Sequence, residues 1–292
     1  MSVSITDKNL FSAKQKLSDY LTLAKFRLNL FVVASSLIGY LVTGVGFDII
    51  SFLLLAVGGF LVTAGANTFN QVIEKDTDKL MPRTSTRPLP ADRMKVGEAV
   101  LFGGVCSVFG LLILSLFNPL TAFLGALSLV SYSFIYTPMK RFGSVSVYVG
   151  AFPGAFPPLI GVVAALGEIE SLGIFLFLIQ FLWQFPHFWA IAWKAYDQYA
   201  GAGFFLLPQS GQKNKKSALI ILLASVLTVS LGALGLVGDH ISLASGIILS
   251  ILGCGFVYFS YELYRQLSDK AALRLMFYSL FYLPLALAAL FI

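Results

Sequence analysis

Charge is scarce in this chain. Asp, Glu, Lys and Arg together supply 12% of its 292 residues, about half the share usual in soluble domains. So little charge cannot clothe a water-exposed surface, and a hydrophobic fraction of 58% with a mean hydropathy of +0.85 points the same way. The chain reads as an integral membrane protein. Cysteine is nearly absent: Cys106 and Cys254 fall in separate apolar stretches with no CxxC spacing, which argues against a disulfide framework or a thiolate zinc site. The N-terminal segment, residues 1–26, is polar and amphipathic. It lacks the continuous apolar core and small-residue cleavage site of a signal peptide. Short-period repeats and soluble domains are missing too, so the expected organisation is residues 1–26 on the membrane surface and a single bundle over 27–292.

What is present in abundance is apolar run length. Segments long enough to span a bilayer read at 28–46, 49–69, 97–117, 119–138, 144–166, 171–193, 217–237, 241–263 and 272–291. That is an all-α membrane fold of nine spans. Numbering the connections alternately from a cytoplasmic N-terminus puts all 20 Lys and Arg residues on one side. The opposite connections, around residues 44–48, 118, 168–171 and 238–240, have none. By the positive-inside rule the N-terminus is cytoplasmic and the C-terminus outside. The same bias accounts for a pI of about 9.2 without a nucleic-acid partner.

The inside connections at 70–96 and 194–216 are long and polar, and each continues a preceding helix. The first begins NQVIEKDTDKLMPRTSTRPLP, residues 70–90. Asn70, Glu74 and Asp78 recur every four residues, within about 80° on a helix. Asp76 adds another acid, and Lys79, Arg83 and Arg87 follow. A solvated cytoplasmic face needs the positive charges but gives no reason for three acids beside an amide at the hydrocarbon edge. Acids that share a divalent cation, next to guanidinium groups that grip phosphate oxygens, suggest a diphosphate site. Magnesium suits so sparse a set, because it takes a few carboxylates plus substrate phosphates. Pro82, Pro88 and Pro90 stiffen the basic loop.

The second long connection follows FLWQFPHFWAIAWKAYDQYAGAG, residues 181–203. His187 sits there among Trp183, Gln184, Phe185 and Trp189, and Pro186 predicts a kink. It is either a core histidine or a ligand. Asp197 is a candidate metal ligand facing Glu74 and Asp78, or an exposed partner for Lys194. Lys140 and Arg141, in YTPMKR, end the fourth span at the same face, to meet the diphosphate or to anchor the helix in headgroups. The Gly/Pro-rich GAFPGAFPP, residues 150–158, predicts close helix approach and a cavity.

These residues resemble a known family. Asn70-x3-Glu74-x-Asp76-x-Asp78 resembles the first aspartate-rich motif of the UbiA superfamily of intramembrane prenyltransferases. RTSTRPLP, YTPMKR, GAFPGAFPPLIG and WQFPHFWAIAW resemble its haem-farnesylating branch, from about Lys25 to the last helix and in family order. Glu74 departs from the usual Asp, and Phe26 from the usual Pro. Where the second UbiA motif carries several acids, only Asp197 stands here.

The resemblance implies a nine-helix UbiA-type bundle in the bacterial cytoplasmic membrane, with the active site facing the cytoplasm. The implied reaction joins farnesyl diphosphate to a vinyl group of haem B with addition of water, giving haem O. Mg2+ would be held by Asn70, Glu74, Asp76 and Asp78, with Asp197 opposite. Arg83, Arg87, Lys140 and Lys194 would hold diphosphate. Trp183, Gln184 and His187 would face haem, the histidine as axial ligand, acid–base group or support for Gln184. A haem A synthase is the implied recipient of the product. Two rivals stand beside this reading: a UbiA-type enzyme acting on a quinone precursor or another tetrapyrrole, and a lipid or haem transporter or assembly factor.

Overall fold

The polar residues that interrupt the apolar runs act as helix starts. The computed structural model describes residues 5–292, and the side chains of residues 13–292. The first four residues of the amphipathic segment lie outside that range. Asp48 accepts hydrogen bonds from the Ile50 and Ser51 amides and opens α3, Ile49–Ile73. Asn118 accepts from the Thr121 amide, with Pro119 next, and opens α6, Pro119–Val130. Asn214, Ser242 and Ser268 cap α11 (Lys215–Val237), α12 (Leu243–Gln266) and α13 (Asp269–Ala288) in the same way. Each such cap satisfies an amide that lipid could not.

The remaining long helices are α1 (Ile5–Leu23), α2 (Phe26–Val42), α5 (Val96–Ser115), α8 (Val145–Leu166) and α9 (Ser171–Lys194), with short α4 (Lys75–Lys79), α7 (Thr137–Met139) and α10 (Tyr196–Gly201) at the loops. Among the described residues eight helices are long and apolar enough to cross a membrane alone. α2 reaches that length and apolarity only together with the end of α1, which it meets at a bend of 47°, so the count is nine where that bent pair is one span. The nine apolar segments read from sequence are therefore all helical. Cys106 and Cys254 are free thiols.

Two packed groups share the seam between α8 and α9. In one, Tyr40, Leu55, Leu114, Leu124 and Leu159 are buried together. In the other, Ile179, Trp189, Trp193, Phe256 and Tyr282 are. Gly39 and Gly161 allow α2 and α8 to touch backbone to backbone, since a Cβ at either would collide with the Pro158 or Ser36 carbonyl. Small residues permit such approach where lipid supplies no hydrophobic drive.

Proline inside these helices is compensated by side chains from neighbours. α8 runs through Pro153, Pro157 and Pro158 without interruption. Pro157 has no N–H for the Pro153 carbonyl, and the Ser128 hydroxyl donates there at 3.2 Å. Pro158 likewise strands the Gly154 carbonyl, which accepts from the Gln180 amide at 2.7 Å. Gln184 donates to the Ala151 and Gln180 carbonyls at 2.9 and 3.1 Å. The kink expected at Pro186 does not break α9, which stays helical to Lys194.

Replacing Gln180 by Leu should leave the Gly154 carbonyl unpaired and cost about 1–3 kcal/mol of stability in detergent unfolding experiments. Adding Pro158→Ala should recover most of that loss, because the substitution restores the backbone N–H that proline lacks. An unchanged midpoint for Gln180→Leu would show that the carbonyl finds another donor.

Candidate active site

Asn70 occupies the buried last turn of α3, and Glu74 caps it. At Glu74 the backbone leaves helical geometry (φ −92°, ψ 7°), then α4 restarts with Lys75. The uninterrupted helical fan expected for Asn70, Glu74 and Asp78 is thus bent after its second member. Asn70 Nδ2 still donates to Glu74 Oε2 at 2.9 Å and to Thr137 Oγ1 at 3.0 Å. Glu74 and Asp78 are buried, at 7% and 1% exposure, so each carboxylate must find compensation.

Two cations supply it, and a third stands beside the amide. Lys140 Nζ lies 2.7 Å from Glu74 Oε1. Arg87 Nη1 donates to Asp78 Oδ2 at 2.7 Å. Lys25, at the break between α1 and α2 with φ +46°, donates to Asn70 Oδ1 at 3.0 Å and Tyr132 Oη at 3.3 Å. Among the described residues no carboxylate pairs with Lys25, whose two partners are neutral oxygens. A half-buried ammonium placed so invites an anion.

Lys140 reaches Glu74 because of an irregularity. Ser131–Tyr136 forms a π-helical turn between α6 and α7. Such turns insert one residue into the helical count and cluster at functional sites. Here the turn brings Tyr132, Tyr136, Thr137 and Lys140 to one side, with the tyrosine rings 5.5 Å apart and Lys140 Nζ 4.9 Å from the Tyr136 centroid. Gly150 of α8 leaves room for that ring.

The basic loop is held from below. Thr84 Oγ1 donates to the Asp78 carbonyl at 2.9 Å. Arg93 makes a forked pair with buried Asp19 of α1, at 2.9–3.3 Å, and also donates to the Thr86 carbonyl at 3.1 Å. Tyr20 and Lys16 bind Glu98, while Leu23 packs with Leu89, Met94 and Ala99. α1 is thereby fastened to the loop that carries Arg83 and Arg87. At the loop's exposed rim, Lys75 and then Lys79 hold the Asp92 carboxyl below its usual range.

Other expected site residues are arranged differently. Asp76 is exposed on α4, and Asp197 is exposed on α10. Among the described residues no three His, Cys, Asp or Glu side chains gather closely enough to cage a metal. α10 does approach through Tyr199, whose hydroxyl accepts from Arg83 Nη2 at 3.2 Å. Lys194 lies 3.8 Å from Asp269 of α13. Both Gln184 donors are spent on backbone carbonyls. Trp183 stacks on His187 with ring centroids 4.5 Å apart. Lys25, Tyr132 and Thr137 were not singled out from sequence. A lone lysine at the start of the first span is a clue to Lys25, but nothing in the sequence signals the π-helical turn.

The residues present fit a magnesium ion. Asn70, Glu74 and Asp78 offer only hard oxygen donors. Glu74 Oε1 is sealed and lacks an aligned hydrogen bond despite the nearby ammonium. A cavity of about 310 Å3 opens beside Glu74, with Thr137, Arg141, Phe142 and Phe204 among its walls.

The chain is similar to known proteins over nearly its whole length. Residues 32–282 match the UbiA prenyltransferase family. A protein of Christiangramia forsetii named protoheme IX farnesyltransferase is 42% identical over 92% of this chain and 91% of its own. A protein of the same name from Cytophaga hutchinsonii is 43% identical over 91% and 94%. The fold is similar to that of a digeranylgeranylglyceryl phosphate synthase, with a TM-score of 0.79, 21% identity and coverage of 94% of this chain and 97% of that one. It is similar also to a UbiA homologue from Archaeoglobus fulgidus bound to GPP and Mg2+, at a TM-score of 0.69, 15% identity and coverage of 94% and 100%.

If the Asp19–Arg93 fork fixes the basic loop, Asp19→Asn should loosen it. Limited trypsin digestion of the full chain in detergent should then cut after Arg83 several-fold faster than in the unsubstituted protein. Equal rates would mean that the remaining turns hold the loop without α1.

Proposed function

The chain belongs to the UbiA prenyltransferase family, and from that premise we propose that it transfers a farnesyl group from farnesyl diphosphate to a vinyl group of haem B, giving haem O and diphosphate. The observation that carries the reading is the cluster at the end of α3. Two buried carboxylates and an amide oxygen meet two lysines and an arginine there, a combination that suits a metal–diphosphate pair. Relatives about 40% identical over nearly the whole chain carry the name of this activity.

In this reading Asn70, Glu74 and Asp78 hold Mg2+, which supplies positive charge against the diphosphate oxygens. Lys25 meets a phosphate oxygen and gains the anion its neutral partners do not provide. Arg87 and Lys140, already aimed at the site by their carboxylates, turn part of their hydrogen bonding to the diphosphate. Arg83 closes from the loop rim. Together they stabilise charge as it gathers on the leaving group. The bond from farnesyl C1 to oxygen breaks with its electron pair going to diphosphate. The vinyl terminus supplies electrons to C1, and water adds to the inner vinyl carbon and releases a proton. The Tyr132 and Tyr136 faces suit the allylic cation.

The arrangement of Lys and Arg supports a bacterial cytoplasmic membrane location with this site on the cytoplasmic side. A haem A synthase is the matching recipient of the product.

Protein in detergent, supplied with haem B, farnesyl diphosphate and magnesium, should yield a haem of haem O mass, and EDTA should abolish it. Glu74→Ala and Asp78→Ala should each lower the rate by at least about 100-fold. Product formed at full rate by either variant would remove the metal assignment, and prenylation of a hydroxybenzoate instead would move the protein to another branch of the family. For orientation, Lys213→Cys in a background with Cys106→Ser and Cys254→Ser should react with an impermeant thiol reagent in cells only after permeabilisation.

A further inference from the structure

His187 lies on the face of α9 that packs against α13. Its Nδ1 is 2.6 Å from Ser279 Oγ. The Ser279 hydroxyl also lies 2.5 Å from the Met276 carbonyl. A serine hydroxyl carries one proton, and a carbonyl oxygen can only accept. If that proton pointed at Nδ1, Oγ and the Met276 carbonyl would face each other as two acceptors with nothing between them. Only one assignment satisfies both short contacts: Ser279 donates to Met276, and Nδ1–H donates to Ser279. The imidazole then bears its proton on Nδ1 and a free lone pair on Nε2.

The ring is also held by its face. Trp183 lies over it with planes 18° apart, and the Trp183 indole N–H donates to the Ser279 backbone carbonyl at 2.7 Å. One residue of α13 therefore fixes both the edge of the imidazole and the aromatic plate that covers it. Nε2 has no hydrogen-bond partner among the described residues, and it is not one of the sealed polar atoms of the interior. It is an open nitrogen lone pair on an otherwise pinned ring.

We propose that Ser279 is a positioning residue that sets His187 in the Nδ1–H tautomer, so that Nε2 binds the iron of the haem acceptor. This rests on the proposed acceptor being haem. Neutral imidazole is a common axial ligand, and a hydrogen bond to the far nitrogen is the usual means by which a protein sets its tautomer and orientation. Tautomer control by a serine whose own proton is committed elsewhere has a specific consequence. The hydroxyl matters as an acceptor, so threonine serves in its place and alanine does not.

The test is titration of ferric haem B into the full chain in detergent, followed by absorbance and electron paramagnetic resonance. The unsubstituted protein and Ser279→Thr should share a nitrogen-ligated ferric signature that His187→Ala lacks. Ser279→Ala should bind at least about tenfold more weakly, with an altered ligand-field signature. Loss of the signature in Ser279→Thr as fully as in Ser279→Ala would overturn the proposal, as would Ser279→Ala or His187→Ala behaving like the parent. Haem O formation is scored separately. Haem ligation through His187 without product leaves this inference standing and removes the proposed reaction, whereas product with spectra indifferent to both residues does the reverse.

Discussion

Two carboxylates buried at the edge of a bilayer set the terms for everything around them. Glu74 and Asp78 need cations close by, and the fold brings two of them, with a third cation beside Asn70, from separate pieces of chain. Lys140 comes from the end of the fourth span, Arg87 from a turn-rich loop, and Lys25 from the hinge before the first span. Each donor needs its own support. For Lys140 it is a π-helical turn, for Arg87 the Asp19–Arg93 fork, and for Lys25 a left-handed backbone at the break between α1 and α2. Removing the acids from this arrangement would leave Lys140 and Arg87 without the partners they meet there. The architecture on this side of the molecule is therefore organised around charge compensation, with hydrophobic packing filling in behind it.

Most of the fold was legible in the sequence because lipid imposes a length on every span and a charge bias on every loop. Asp48, Asn118 and Pro119 mark span starts where capping chemistry requires them. The site was partly legible for a related reason: acids at the hydrocarbon edge are costly enough to need an explanation. What spacing could not convey is which neighbour a side chain meets. Lys194, at the end of α9, looked available to phosphate and Asp197 to a metal, yet Lys194 faces Asp269 across the α9–α13 contact and Asp197 is exposed on α10. Gln184 looked like a ligand for substrate and instead donates to carbonyls in and beside the proline-rich helix. Gln180 and Ser128 do comparable work and gave no sign of it, since the carbonyls they satisfy are orphaned by prolines on a different helix.

The two halves of the bundle use polar groups to different ends. On the α3 side, polarity serves ionised groups that can exchange partners when an anionic ligand arrives. Along α8, α9 and α13 it serves the backbone and one imidazole, through neutral amides and hydroxyls whose protons are already committed. The first arrangement suits a group that leaves as an anion. The second suits a large, flat, mostly apolar molecule that must be held in one orientation while its edge reacts.

The π-helical turn at Ser131–Tyr136 has a further consequence. If its six residues wound as ordinary α-helix instead, whatever follows would turn by about 100°. Lys140 would swing away from Glu74 even though no site residue had changed. Two side chains within the turn, Phe134 and Ile135, are exposed and make few demands on identity. What the site asks of this stretch is therefore its winding more than its letters. Substitutions should accumulate freely at its lipid-facing positions so long as the wider turn is kept, a demand that falls on backbone geometry and not on any one side chain.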